Sequence, residues 1–299
     1  MNHKKHRLKK FKINQGKVPS FDGTEIFYQT EGEGSPLVFC YGLVCDASQW
    51  HYQTEFFKKT HQVIHFDYRG HNLSSKPKKV ENLTIKGCAL DLNAVLKALH
   101  IEKVVLVGHS MGVNVITQFA ALFPKKVSGL IAICGTVNDP FKTMFNTDFS
   151  KVGFEFLKLA YLKFPEQFPK IWKRTVPSPL SRLITGLFGF NVLHSKQEDI
   201  RAYLNGVSKQ HPDTFFYLLQ EMHDFKGEKI LKKIKVPTLV IGGSQDLITP
   251  IRNQYAIYRQ LKHHAQFLRV PRGSHCSHLD MPEFINLRME KFLKDLPCY

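Results

Sequence analysis

The sequence predicts an α/β protein with a mostly parallel central sheet, helices on both of its faces, and one large helical insertion. Three observations carry this prediction. Short apolar runs rich in β-branched residues alternate with stretches whose apolar positions recur at helical spacing. That is the pattern of strands buried on both faces and joined by crossover helices. At residues 104–123 one such strand turns into a helix within one or two residues, through Gly108-His109-Ser110-Met111-Gly112. Between residues 137 and 232 the alternation stops, and helical stretches follow one another without a convincing strand.

Taken in order, residues 17–28 hold two short strand-like segments around the turn Phe21-Asp22-Gly23. A second turn at 31–36 leads to a buried strand at 37–41 that ends at Gly42, and a helix is expected over 48–59. The strand at 63–67 runs into the loop 68–75. Residues 82–99 read as an amphipathic helix with Ile85, Leu90, Leu92, Val95, Leu96 and Leu99 on its apolar side. After the strand at 104–107 comes a helix with Val113, Ile116, Phe119, Ala120 and Phe123 on one side, stopped by Pro124. Residues 127–134 form one more strand. The core resumes with a strand at 236–241, the loop to Asp246, and a helix that Pro250 starts and that reaches Leu261. A last strand at 265–270 precedes a final helix containing Phe284, Leu287 and Phe292.

The insertion holds 12 of the 24 phenylalanines, from Phe141 to Phe225, more than a small satellite core can use. It is therefore expected to be a lid over the C-terminal edge of the sheet, with most rings packing it down and about a quarter lining an apolar pocket. The resulting division is a basic N-terminal arm (1–17), a core made of 18–136 and 233–299, and a helical cap (137–232).

The formal net charge is +17. Lys4, Lys5, Arg7, Lys9, Lys10, Lys12 and Lys17 concentrate part of it in the arm, which has no acid and no apolar run of the kind found in signal peptides. The arm reads either as a solvated terminus or as a weak attractor of anionic membrane surfaces. Neither zinc-finger spacing nor an aromatic-and-basic RNA-binding motif accompanies the charge, so no specific nucleic acid is expected as a partner. Six scattered cysteines in a chain of this size point to reduced thiols and a cytoplasmic location, with peripheral contact at a membrane as the variant. No apolar run reaches the ~18 residues of a membrane span. Metal-ligand spacing and dinucleotide or phosphate-loop fingerprints are lacking, so neither a metal nor a cofactor is expected.

Chemistry centres on the sharp bend. A serine between strand and helix is held in a strained conformation, with glycines two residues to either side so that the two elements pass closely. Its hydroxyl is lifted to the N-terminus of a helix, whose dipole favours developing negative charge. A serine hydroxyl is a weak nucleophile and needs a base, usually histidine, oriented by a third group.

With G-x-S-x-G in this context, the sequence resembles the α/β-hydrolase superfamily, in particular esterases and lipases with a helical cap after the sixth core strand. The resemblance spans residues 18 to 296. It implies the order nucleophile, acid, histidine, which falls on Ser110, Asp246 and His275. Asp246 lies in Gly-Gly-Ser-Gln-Asp-Leu-Ile-Thr-Pro, which resembles the family's acid loop, and Asp139 is its rival. His275 has Asp280 and Pro282 at the family's offsets, but Ser274 is inserted after Gly273, and His278 is the alternative base. His109 is read as structural. The oxyanion donors implied are the N–H groups of Met111 and Leu43, the latter in a loop with Tyr41 where the family has histidine. Residues 67–74 resemble the family's D-x-R-G-x-G-x-S loop, with Asn72 in place of a glycine, and are read as packing. Trp50 is read as either pocket wall or core.

The expected function is hydrolysis of carboxylic esters with an apolar acyl or alcohol part, of short to medium chain length, through an acyl-enzyme. Lactone or thioester hydrolysis, acyl transfer, carbon–carbon hydrolysis and perhydrolysis use the same residues, and a non-catalytic ligand receptor is the reading from outside enzymology. Serine rather than aspartate at position 110 argues against dehalogenase and epoxide hydrolase chemistry.

Overall fold

The computed structural model describes residues 12–147, 149–191 and 193–297. It opens with an antiparallel hairpin of β1 (Asn14–Pro19) and β2 (Glu25–Glu31), turned at Gly23 with φ 79°. Then follow β3 (Ser35–Cys40), α1 (His51–Phe57), β4 (His61–Phe66), α2 (Ile85–Ala98), β5 (Val104–His109), α3 (Met111–Leu122) and β6 (Val127–Ile133). After β6 come the cap helices α4 (Phe149–Lys163), α5 (Gln167–Thr175), α6 (Pro179–Gly189), α7 (Gln197–Lys209) and α8 (Pro212–Asp224). The core is completed by α9 (Gly227–Leu231), β7 (Thr238–Gly243), α10 (Ile251–Leu261), β8 (Ala265–Val270), α11 (Ser277–Asp280) and α12 (Pro282–Lys294).

Eight strands form one sheet in the order β1-β2-β4-β3-β5-β6-β7-β8, parallel from β4 through β8 and antiparallel only at the β1–β2–β4 end. The central strands β5 and β7 are buried at every residue, as expected of parallel strands covered on both faces. Thr84 caps α2 by accepting the N–H of Gly87 at 2.9 Å, and Leu92, Val95 and Leu96 bury its inner face.

The structure moves three sequence-derived boundaries. Residues 14–17, assigned to the basic arm, belong to β1, because their backbone completes the ladder with β2 (Lys17 opposite Phe27). The rest of that arm, residues 1–11, lies outside the described residues. At the cap's far end, α9 packs against α3 and α10. The Gly227 N–H donates to the Val137 carbonyl at 3.2 Å, so the insertion leaves and re-enters the core at one point. The final helix is also broken: α11 and α12 meet at Met281, and Ile285, Met289, Phe292 and Leu293 face the core. Of the three apolar residues read into that helix, Phe292 is buried, whereas Phe284 and Leu287 are exposed.

One buried ion pair ties the loop after β4 to the helix layer. The Arg69 guanidinium meets the Asp91 carboxylate on two bonds, Nε–Oδ2 at 2.8 Å and Nη2–Oδ1 at 2.6 Å, with both side chains fully buried, and also reaches Asp22 at 2.9 Å. Removing one partner strands the other charge away from water, which is far more damaging than never having the pair. Asp91→Ala is therefore expected to lower unfolding stability by about 3–5 kcal/mol, read as a shift in the urea midpoint. A change below about 1 kcal/mol means that Asp22 alone compensates Arg69.

Candidate active site

Ser110 ends β5 and opens α3, with φ 53° and ψ −119°. For a residue with a Cβ this backbone costs about 1–3 kcal/mol and persists only where the surroundings enforce it. Here they do. The Ser110 N–H donates to Ile133 O on β6 at 3.1 Å, and its carbonyl accepts the Val113 N–H at 3.0 Å. A Cβ on Gly112 would collide with the Cys40 carbonyl on β3, and one on Gly108 would come within 2.5 Å of the Gly112 carbonyl. Both glycines are required by close passage of strand and helix.

Asp246 and His275 come from the loops after β7 and β8, 29 residues apart, and meet in the fold. His275 Nδ1 lies 3.0 Å from Asp246 Oδ2 and 3.2 Å from Oδ1. The carboxylate is itself held: Ile248 N–H and Thr249 N–H donate to Oδ1 at 2.9 and 2.8 Å, and the Thr249 hydroxyl lies 2.9 Å from Oδ2. That hydroxyl is also 2.8 Å from the Cys134 carbonyl, which fastens the acid loop to the end of β6. A carboxylate so placed fixes the imidazole tautomer, leaving Nε2 free to accept a proton.

A second network holds the histidine loop from behind. His109 Nε2 is 2.9 Å from the His275 carbonyl, which can only accept, so Nε2 carries the proton and Nδ1 accepts. Gln49 Nε2 supplies that hydrogen bond at 2.9 Å and sends its other proton to His278 Nε2 at 3.0 Å. Gln49 Oε1 then accepts the Gly42 N–H at 3.1 Å. One buried amide thus joins the loop carrying Leu43 to the backbone of His275. The chain requires both histidines to be neutral. Burial pushes His109 well below the usual histidine range and His278 down to about 3, in each case with help from the neighbouring imidazoles.

The Leu43 N–H has no partner among the described residues, and the Met111 N–H, first in its helix, has no intrahelical acceptor. Tyr41 leaves this geometry intact because its side chain turns away from the cavity. Its hydroxyl lies 3.1 Å from Asp67 Oδ1 and accepts the Tyr68 N–H at 3.1 Å. Asn72 stands where the resembling loops have glycine, at φ 42°, a conformation that asparagine tolerates better than most side chains. Its amide donates to Asp67 and to the Cys45 carbonyl, each at 3.2 Å. The inserted Ser274 is likewise built in: its N–H donates to Asp280 Oδ2 at 2.8 Å and its hydroxyl to the Gly189 carbonyl at 3.0 Å. Asp280 also accepts from Asn191 N–H at 3.1 Å and from the Ser195 hydroxyl, so the histidine loop and the cap share one anchor.

Ser110, His275 and Leu43 open into one cavity of about 350 Å³ beneath the cap. Its walls are mainly apolar, including Trp172, Phe190, Leu219 and Met222. Four of the twelve insertion phenylalanines line it: Phe145, Phe188, Phe190 and Phe215. Others pack the cap, as Phe154 and Phe168 do against Phe216 at 5.9 and 5.8 Å. Phe149, Phe156 and Phe164 do neither and face solvent, which the sequence reading did not anticipate.

The rival positions are engaged elsewhere. Asp139 bonds the Phe141 N–H at 3.0 Å and lies 2.8 Å from His223. His278 stacks on Trp50 at 4.6 Å, and Trp50 is core, 5.0 Å from Phe39. Sequence reasoning did not single out Gln49 or Thr249. Thr249 sits in the acid-loop motif, where its distance from Asp246 was a usable signal, whereas Gln49 carries no local mark of its partners.

The comparisons with known proteins agree on the fold. The family model described as alpha/beta hydrolase fold matches residues 35–282. Epoxide hydrolase 1 of Caenorhabditis elegans is 27% identical over 280 residues, 89% of this chain and 67% of that protein. A bifunctional esterase/perhydrolase of Acinetobacter calcoaceticus is 27% identical over 290 residues, 93% of this chain and 99% of that one. Among solved structures, a thermophilic esterase from Thermogutta terrifontis superposes with a TM-score of 0.77 at 21% identity, covering 94% of this chain and 98% of its own.

Buried neutral histidines contribute to the acid stability. Burial lowers His65 and His71 to about 4 and, with the nearby His275 and His51, His278 to about 3. The unfolded chain, with histidines near 6.5, binds these protons first, so stability falls as pH drops below 6.5 and levels off for each group near its folded pKa. Each such histidine contributes about 1.4 kcal/mol of loss per pH unit within that window. Urea midpoints measured from pH 7 to pH 4 are expected to fall steadily from pH 6.5, and a flat profile down to pH 5 contradicts burial of the neutral forms.

Proposed function

This chain belongs to the α/β-hydrolase family, and we propose that it is a serine hydrolase cleaving carboxylic esters with an apolar acyl or alcohol part. The supporting observation is the convergence of Ser110, an Asp246-held His275 and the Leu43 loop on a single apolar cavity. In this reading Ser110 Oγ attacks the ester carbonyl while His275 Nε2 takes its proton, and Asp246 stabilises the imidazolium. The N–H groups of Leu43 and Met111 receive the oxyanion. The tetrahedral intermediate collapses with loss of the alcohol, which takes the proton back from His275. Water, deprotonated by His275, then attacks the acyl-enzyme and releases the acid and Ser110.

A cavity of about 350 Å³ lies at the lower end of small-molecule sites, which favours short to medium acyl chains. Ser110 also separates this chemistry from epoxide opening by a carboxylate nucleophile; the nematode relative is named an epoxide hydrolase. Lactone and thioester hydrolysis, acyl transfer, carbon–carbon hydrolysis and perhydrolysis remain open to the same residues. A receptor role fits the site less well, since the Asp246–His275 pair and its supports are complete.

Ser110→Ala is expected to lower kcat on p-nitrophenyl esters by roughly a thousandfold or more at unchanged fold, and to abolish labelling by a fluorophosphonate probe. Near-full activity of the variant refutes the proposal. Absence of probe labelling in the folded wild type favours the receptor. Across a series of acyl lengths the wild type should peak at short to medium chains, and activity confined to long-chain emulsions contradicts the cavity argument.

Gln49→Leu tests the buried relay. It removes the hydrogen bonds to Gly42, His109 and His278 while roughly keeping the volume, so kcat should fall by roughly tenfold or more with KM little changed. Equal loss through KM alone would place Gln49 in substrate binding instead.

A further inference from the structure

The cap is apolar on its outside as well as its inside. On α4 the inner Phe154 is buried against Phe141 and Phe216, yet Phe149, Val152, Phe156, Leu159 and Leu162 form an outward stripe at helical spacing. These five are 63–79% exposed. On α6 the residues Leu180, Leu183, Ile184, Leu187 and Phe188 repeat at offsets 3, 4, 7 and 8, and all five are exposed. Scattered exposed leucines need no explanation, but two helices with solvent-facing apolar stripes do.

The stripe on α6 leads into the site. Ile184 and Phe188 are exposed and also line the cavity that holds Ser110. Phe145, 5.5 Å from Phe188, continues the apolar rim toward the start of α4. The charges on and between these helices are mostly positive. Lys151, Lys158 and Lys163 on α4 and Arg182 on α6 face one acid, Glu155, and the intervening segment with α5 adds Lys170, Lys173 and Arg174 against Glu166. Lys158 and Lys151 also reach Gln220 and His223 on α8, each at 3.4 Å.

We propose that the outer faces of α4 and α6 dock on an anionic lipid bilayer, with the cavity mouth turned toward the membrane so that apolar substrate enters from it. An amphipathic helix lies in the interface with its apolar face among the acyl chains and its cations at the headgroups. Lysine and arginine stems can cover apolar surface while their charges reach lipid phosphates. Each such cation adds about 1 kcal/mol near an anionic surface. A second copy of the chain is the poorer occupant, because two-fold pairing places the same cation-rich patch against itself. This docking is separate from the basic residues 1–11.

The test is co-sedimentation of the full chain with phosphatidylcholine vesicles with and without roughly a third phosphatidylglycerol, at low and physiological salt. The combined variant Phe156→Gln, Leu159→Gln, Leu180→Gln, Leu183→Gln changes only exposed residues outside the cavity and keeps every charge. Its binding to anionic vesicles should fall by roughly tenfold or more, with circular dichroism and turnover of a water-soluble short ester unchanged. Wild-type binding should in turn require the anionic lipid. Undiminished binding of the variant overturns the proposal in favour of charge-only attraction. Failure of the wild type to bind, with light scattering showing a dimer that the variant dissolves, overturns it in favour of self-association. Because vesicle binding is read without catalysis, loss of the esterase reading leaves this test intact.

Discussion

The constraint on which the site depends is the enforced bend at Ser110. A side chain at φ 53° and ψ −119° is unfavourable by itself, and the sheet supplies what holds it. The bond to Ile133 O, the Cys40 carbonyl against Gly112 and the self-approach at Gly108 leave the chain no other path. The hydroxyl is thereby fixed at the C-terminal edge of the sheet, where the loops after β3, β7 and β8 also end. In an open α/β sheet that edge is where ligands are taken.

Around this bend a set of buried polar groups is hydrogen-bonded across elements, although both amide atoms of Asn114 and Nδ1 of His278 are buried without a partner among the described residues. Thr249 and two backbone N–H groups hold Asp246, and Gln49 and His109 hold the Gly42 and His275 backbones. Burial gives these contacts their strength and also keeps His109 and His278 neutral, as the donor pattern demands. Asp280 extends the same logic outward, bonding both the histidine loop and the cap segment at Asn191 and Ser195. The cap is therefore tied to the His275 loop as well as to the sheet. Its rings divide three ways, into cavity wall, cap core and outer face, and only the first two are what a lid requires.

Much of this was legible along the chain. The strand periods, the bend with its flanking glycines, and the order of Ser110, Asp246 and His275 are local patterns, and the sheet and the Asp246–His275 contact follow them. The misread positions are those where local pattern is ambiguous. The final helix looks continuous until Met281 and Pro282 break it, and residues 14–17 look like a charged tail until a partner strand completes their hydrogen bonds. Ser274 looked like a flaw in a motif, but it is a designed contact with Gly189 and Asp280.

By itself the sequence determined the fold class, the insertion point and the strand-to-helix bend at Ser110, because these rest on periodicity and on residue types that act within a few positions. Only the tertiary structure decided that Gln49 joins Gly42 to His109 and His278 across 60 and 229 positions. It alone decided which phenylalanines face the cavity, and that α4 and α6 show apolar residues to the outside. A helical period says that a face is apolar, but it does not say what lies against that face. That depends on how far neighbouring elements reach around the helix, which no stretch of sequence records.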